Sequence, residues 1–197
     1  MTVYLSIFLK APRLGRVKAR LAAEIGECAA LRLYRVMAAR ALATARAAGL
    51  PTTIWYAPAE ALEEMRRWLG EEWQLRPQAS GDRGARLRAA ARSVQPGAGW
   101  LSIGGDCPDL TGEHLRRALP LIEKGEVVLG PALDGGYYLV GGPSPVPDLF
   151  TAMPWSTDQL LEATRRRLEA AGIDFGMLPV LRNVATVADA RAVGLLT

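Results

Sequence analysis

The feature that most constrains this chain is an alternation. Apolar, β-rich runs take turns with runs of helical period along the whole sequence. "TVYLSIFL" (Thr2–Leu9), "TTIWYA" (Thr52–Ala57), "EWQLRPQ", "WLSIG" (Trp100–Gly104), "EVVLG" (Glu126–Gly130), "GGYYLVGG" (Gly135–Gly142) and "IDFGMLP" read as strands. Between them, Cys28–Gly49, Ala59–Gly70, Asp82–Val94, Gly112–Gly125 and Ser156–Gly172 read as helices. Gly49 closes the first of these. Thr111 is placed to cap the fourth, and Ser156 with Gln159 has the spacing of a capping box for the fifth. Strands alternating with helices of this length predict an α/β fold with a mostly parallel sheet. No internal repeat, low-complexity tract or linker interrupts the pattern. One domain over residues 1–197 is therefore expected, long enough to bury a sizeable core.

Several function classes are disfavoured at once. No apolar run approaches the roughly 18 residues of a membrane span. The N-terminus lacks the basic region and small-residue cleavage site of a signal peptide, which points to a cytoplasmic protein and no membrane partner. The two cysteines, Cys28 and Cys107, and the single His114 are too few for a zinc site or disulfide framework. A net charge of +4 without clustered basic and aromatic residues argues against nucleic acid and suits anionic small molecules. The sequence is silent on oligomeric state.

In sheets of this kind ligands bind where the strands end at their carboxyl side. Four such loops carry unusual residues. "KAPRLGRVKARL" brings Lys10, Arg13, Arg16, Lys18 and Arg20 into one short stretch, with Gly15 permitting close backbone approach. Cations so crowded repel one another unless an anion sits among them, so the loop reads as a phosphate cradle or, more plainly, as a solvated basic loop. "QASGDRGARLRAA" offers Asp82 as a helix cap, or a contact to a base or ribose. "GGDCPDL" leaves Asp106 at a strand end beside Pro108, either in an Asx-turn or as a ligand for Mg²⁺ or Mn²⁺. "GPALDGGYYLVGG" carries Asp134, Gly135 and Gly136, a hairpin signal that can also face an acceptor, with Tyr137 as a wall. "PWST" then sets Trp155, Ser156 and Thr157 at a helix start suited to an anion.

Taken in order, "FLKAPRLGRVKARLA", "GDRGARL", "GGDCPDL", "LGPALDGGYYLVG", "PWST" and "LRNVATVAD" resemble the motifs of a family of GT-A-like transferases, described as glycosyltransferase-like or as radical-SAM/selenodomain-associated transferases. That family is similar to the 2-phospho-lactate and, more distantly, the molybdenum-cofactor guanylyltransferases. The resemblance implies a three-layer α/β/α sandwich, the nucleotide-diphospho-sugar transferase fold. It implies Asp106 as a metal ligand, Lys18 and Arg20 as triphosphate and catalytic residues, and Asp82 and Arg86 on the nucleotide side; Lys10, Gly15 and Arg16 join the phosphate loop on the residue pattern alone. Asp134, Gly135, Gly136 and Tyr137 match its acceptor-side motif, and Trp155, Ser156 and Thr157 are grouped with the acceptor on their own residues at the anion-suited helix start. The chain departs from the family twice. Ala19 stands where a Thr is usual, and Asn183-Val184-Ala185-Thr186 stands where Asp–hydrophobic–Asp–Thr is usual. Asn183 then offers a neutral carbonyl as second metal ligand.

The expected reaction is metal-dependent transfer of a nucleotide from a nucleoside triphosphate to a small phosphorylated acceptor, releasing pyrophosphate. The alternatives are glycosyl transfer from a nucleotide sugar and nucleotide binding with weakened catalysis.

Overall fold

β1 (Val3–Lys10) lies in the middle of the sheet because its side chains are apolar toward both faces. In the computed structural model, which describes residues 1–197, β1 pairs in parallel with β2 (Thr52–Ala57) on one edge and β4 (Gly99–Gly104) on the other. The seven-stranded sheet has the order β3-β2-β1-β4-β6-β5-β7, with β3 at Gln74–Pro77, β5 at Val127–Pro131, β6 at Tyr137–Pro143 and β7 at Phe175–Met177. Only β6 runs antiparallel to its neighbours, since it returns from β5 through the Asp134–Gly136 hairpin. The expected α/β fold is found, with this one reversed strand inside it.

Helices cover both faces. Val3, Leu5, Ile7 and Leu9 of β1 point to one side and pack with Ala38, Ala41 and Leu42 of α2 (Glu27–Ala48), Met65 of α3 (Leu62–Leu69, after a 3₁₀ turn at Ala59–Ala61) and Leu115, Ala118 and Ile122 of α5 (Gly112–Glu123). Burying each such aliphatic side chain contributes about 1.5–3 kcal/mol relative to exposure. The alanine stripe on α2 lets that helix lie close to the sheet. On the other face Trp100 meets Leu87 and Ala91 of α4 (Arg83–Arg92), Leu160 and Leu168 of α6 (Leu160–Ala170), and Phe150. A smaller cluster joins Leu21 of α1 (Ala19–Ile25), Met37 of α2, and Val184 and Ala190, the last on α7 (Val187–Ala192). No helix is long and apolar enough to cross a membrane.

The chain goes one way from β1 to β2 and the other way to β4, so the strand order reverses at β1/β4. The loops after β1 and β4 diverge there and leave a crevice at their carboxyl ends.

Three local features differ from the sequence reading. α1 starts inside the stretch read as the first loop, and α7 lies where the sequence reading placed no element; α1 begins without any side-chain cap, so its start carries no cap residue to recognise. α6 begins at Leu160 rather than Ser156. The Ser156–Gln159 capping box does not form, because Ser156 has φ 66° and Thr157 turns its hydroxyl back to the Pro154 carbonyl at 2.8 Å. The other caps form. Asp82 accepts from the Ala85 amide at 2.8 Å, and Thr111 shares a capping box with His114.

Candidate functional site

The first loop is held at its root by Tyr34 of α2. Its buried hydroxyl accepts from the Lys10 amide and donates to the Lys10 carbonyl, both at 2.7 Å. Beyond that point the five cations separate. Arg13 swings out to Glu64 (2.8 Å) and Glu60 (3.3 Å). Gly15, at φ 70°, folds against Glu27, where a Cβ would come within 2.6 Å of a carboxylate oxygen. Arg16 is exposed and outside the cavity walls. Lys10, Lys18 and Arg20 remain facing the crevice.

Lys18 is the most constrained of them. Its backbone is left-handed (φ 52°, ψ 49°), a conformation costing roughly 1–2 kcal/mol in a residue with a Cβ. Its side chain is only 10% exposed. The ammonium donates to the Val184 carbonyl at 2.6 Å and pairs with the Asp106 carboxylate. Strain retained by surrounding contacts is a mark of functional sites.

Asp106 projects from the loop after β4, with its side chain 52% exposed. Gly105 lets that loop rest on Leu9, where a Cβ would lie 2.7 Å from Cδ2. The Val184 amide donates to the Asp106 carbonyl at 2.8 Å, so the segment 182–189 straps the first and third loops together. Asp134 accepts from the Gly136 amide at 3.0 Å and from Asn183 Nδ2 at 3.1 Å. Gly135, at φ 79°, packs on the Asp158 backbone.

Asp189 anchors the strap. Its carboxylate accepts from the Ala185 and Thr186 amides (3.1 and 3.0 Å), the Thr186 hydroxyl (2.8 Å) and Arg182 (2.9 Å). Partial burial works against ionisation, but these donors outweigh it and hold the carboxyl below its usual range. A depressed carboxylate pKa stabilises the fold above the unfolded value of about 4, and that contribution is lost as pH falls through the folded value. Asp189→Asn is expected to lower stability at neutral pH by about 1 kcal/mol, the scale of a lost cap. The deficit should shrink below about pH 4, which denaturant melts across pH would show.

Two adjoining cavities open here. One, of about 500 Å³, is walled by Lys18, Arg20, Asp106, Asp134, Gly136, Thr157 and Asn183 among others. The second, of about 410 Å³, runs between the sheet and α4 and is walled by Lys10, Arg86, Phe8, Gln78 and Ser102. Lys18, Asp106, Arg83, Tyr137 and Ser156 line both. Of the sequence-predicted residues, Gly15, Arg16, Asp82, Gly135 and Trp155 line neither. Trp155 lies tilted against Phe150 and fills the space over Gly84. Sequence reasoning missed Arg83, Tyr34, Gln78, Ser102, Tyr138 and Asp158. Arg83 alone left a signal, being three residues before Arg86 and so on the same helix face.

Cys107 also borders the first cavity, but burial pushes its thiol up to about 12. A thiol held protonated is a poor nucleophile. Native protein at pH 8 should react with a disulfide reagent at the exposed Cys28 only, and denatured protein at both cysteines.

The oxygen donors suit a hard cation. Asp106 and Asp134 supply carboxylates, and Asn183, with its amide nitrogen on Asp134, keeps its carbonyl oxygen free. No group of three or more His, Cys, Asp or Glu comes together, so an ion here would take one or two carboxylates and complete its shell with water and phosphate oxygens.

The architecture is that of the nucleotide-diphospho-sugar transferases. The chain is similar to the crystal structure of a proposed nucleotide-diphospho-sugar transferase from Desulfovibrio desulfuricans G20, at TM-score 0.90 and 29% identity, over 98% of this chain and 87% of that one. More remote in sequence are Rv0371c from Mycobacterium tuberculosis H37Rv in complex with manganese (TM-score 0.59, 19% identity, 98% and 99% covered) and the inositol-1-phosphate CTP transferase from T. maritima (TM-score 0.59, 12% identity, 93% and 90% covered). No curated protein matches the chain. Residues 39–157, from the middle of α2 to the turn before α6, match the family described as "uncharacterized protein conserved in bacteria (DUF2064)", and the chain belongs to that family.

Proposed function

We propose that this chain is a nucleotidyltransferase-like enzyme that joins a nucleotide, drawn from a nucleoside triphosphate, to a small phosphorylated acceptor. The observation that carries the reading is Lys18, a strained, nearly buried cation aimed into a cleft at the strand carboxyl ends and shared with Asp106. In this reading an acceptor phosphate oxygen attacks the α-phosphorus, and the bond to the bridging oxygen of the β-phosphate breaks to release pyrophosphate. The acceptor arrives already ionised, so no side chain has to remove a proton. The protein's work is positioning and charge neutralisation. Lys18 and Arg20 face the phosphates, Arg86 lies on the nucleotide side, and Asp134, Gly136, Ser156 and Thr157 border the acceptor. Asp106 and Asn183 would hold Mg²⁺ or Mn²⁺, with Asp134 beside them; when bound, such an ion neutralises phosphate charge. Residues 1–197 act as one unit, because the 182–189 strap supplies Asn183 and the Val184 carbonyl.

Incubation with each nucleoside triphosphate, Mg²⁺ and a panel of phosphorylated acceptors should release pyrophosphate, and no release across the panel counts against the reading. A second reading, glycosyl transfer from a nucleotide sugar, is favoured by the likeness to the proposed nucleotide-diphospho-sugar transferase of Desulfovibrio. It predicts free nucleoside diphosphate and no pyrophosphate. A third, nucleotide binding with weakened catalysis, is favoured by the hydrogen bond from Asn183 to Asp134, which already satisfies an acid that a cation would otherwise neutralise.

A further inference from the structure

We propose that Arg83 is the phosphate-reading residue of this cleft, taking the phosphate nearest the nucleoside where the two cavities meet. The inference rests on the nucleotide reading above and adds a residue and a direction to it. Arg83 is the first residue of α4, directly after the Asp82 cap, and its exposed side chain lines both cavities. The other arginines that follow it on α4's first two turns are engaged. Arg88 donates to Thr151 at 2.5 Å and lies 3.7 Å from Asp148, and Arg86 donates to Gln78 at 3.3 Å. Arg83 has no acid partner and no side-chain hydrogen bond. Of the charged groups lining both cavities, two are cations, Lys18 and Arg83, and one is an acid, Asp106. Lys18 already neutralises Asp106, which leaves Arg83 uncompensated and pointing into shared space. Its charge also reaches Tyr137: burial pushes that hydroxyl's pKa up, and Arg83 acts against the rise. A guanidinium at a helix N-terminus is repelled by the dipole behind it, so an anion between the two relieves both.

The second cavity fixes which way the ligand lies. On its floor the Ser102 hydroxyl, 3% exposed, has no partner, and Arg86 Nε on its wall has none either. Buried polar atoms of this kind ask for a ligand's hydroxyl or carbonyl groups. Phe8 and Leu87 beside them supply apolar contact for a ring. A nucleoside seated there would meet both demands, with its 5′-phosphate at Arg83 and any further phosphates running into the first cavity toward Lys18 and Arg20.

The test is calorimetric titration of the whole chain with the four common ribonucleosides and their 5′-mono-, di- and triphosphates. Wild type is compared with Arg83→Gln, Arg83→Lys and Arg88→Gln, each checked for an unchanged thermal midpoint. Loss of one charge-assisted contact should weaken every 5′-phosphate about 10- to 100-fold in Arg83→Gln and leave nucleoside binding unchanged. Arg83→Lys should recover part of the loss, and Arg88→Gln should bind like wild type. If wild type binds the phosphates and Arg83→Gln binds them equally well, the role of Arg83 is overturned while the nucleotide reading stands. The same holds if nucleosides weaken as much as their phosphates, or if only triphosphates weaken. If wild type binds none of these ligands, the nucleotide reading itself fails.

Discussion

Replacing Lys18 by Asn should lower pyrophosphate release about 10²–10³-fold while leaving the thermal midpoint nearly where it is. The two halves of this expectation have separate causes. In the proposed mechanism the activity loss follows from removing a preorganised cation that would face the phosphates, an effect of about 3–4 kcal/mol on the barrier in comparable electrostatic sites. The stability balance is local. Asn tolerates the left-handed backbone that Lys18 adopts, and relief of that strain recovers about 1 kcal/mol. The lost hydrogen bond to the Val184 carbonyl costs about the same. The Asp106 carboxylate, half-exposed, is taken up by water when its partner goes. Arginine should not substitute, because a planar fork does not fit where one ammonium serves both Val184 and Asp106. Steady-state rates and a thermal melt on the same preparation check both halves; a variant as active as wild type would remove Lys18 from the mechanism.

Asn183→Asp should raise Mn²⁺ affinity about 10- to 100-fold, measured by titration in the absence of nucleotide. The argument turns on which groups are already satisfied. In this chain the Asn183 amide donates to Asp134, so the two side chains attract without help. An acid at 183 would instead repel Asp134, and a divalent cation would relieve that repulsion while gaining a second or third carboxylate. Adding Ala185→Asp tests the other position where the family pattern has an acid. Wild-type turnover comparable to that of the double variant would end the reading of a weakened catalyst. Unchanged Mn²⁺ affinity in Asn183→Asp would show that residue 183 does not face the ion.

What the sequence by itself determined was what short-range physics can encode. The alternation of strand and helix periods laid down β1 through β7 and the larger helices. It also predicted that the informative loops would follow the strands. Asp82 and Thr111 were legible as caps, because a cap needs only a few neighbouring residues. The concentration of charge after β1 was legible too, and so was the placing of Asp106 at a strand end. Which of those charges converge was decided by the tertiary structure alone. Arg13 and Arg16 sit in the same loop as Lys18, yet Glu60 and Glu64 of the α3 region draw Arg13 away, and Arg16 stays in solvent. Lys18 finds Val184 across 166 residues of chain. Ser102, silent in its strand, and Arg83, marked only by its spacing from Arg86, come to line one groove. The physical reason is the strand order. β4 lies beside β1 although two other strands separate them in sequence, and that long-range pairing brings the two loops to one crevice, where the C-terminal strap closes over them.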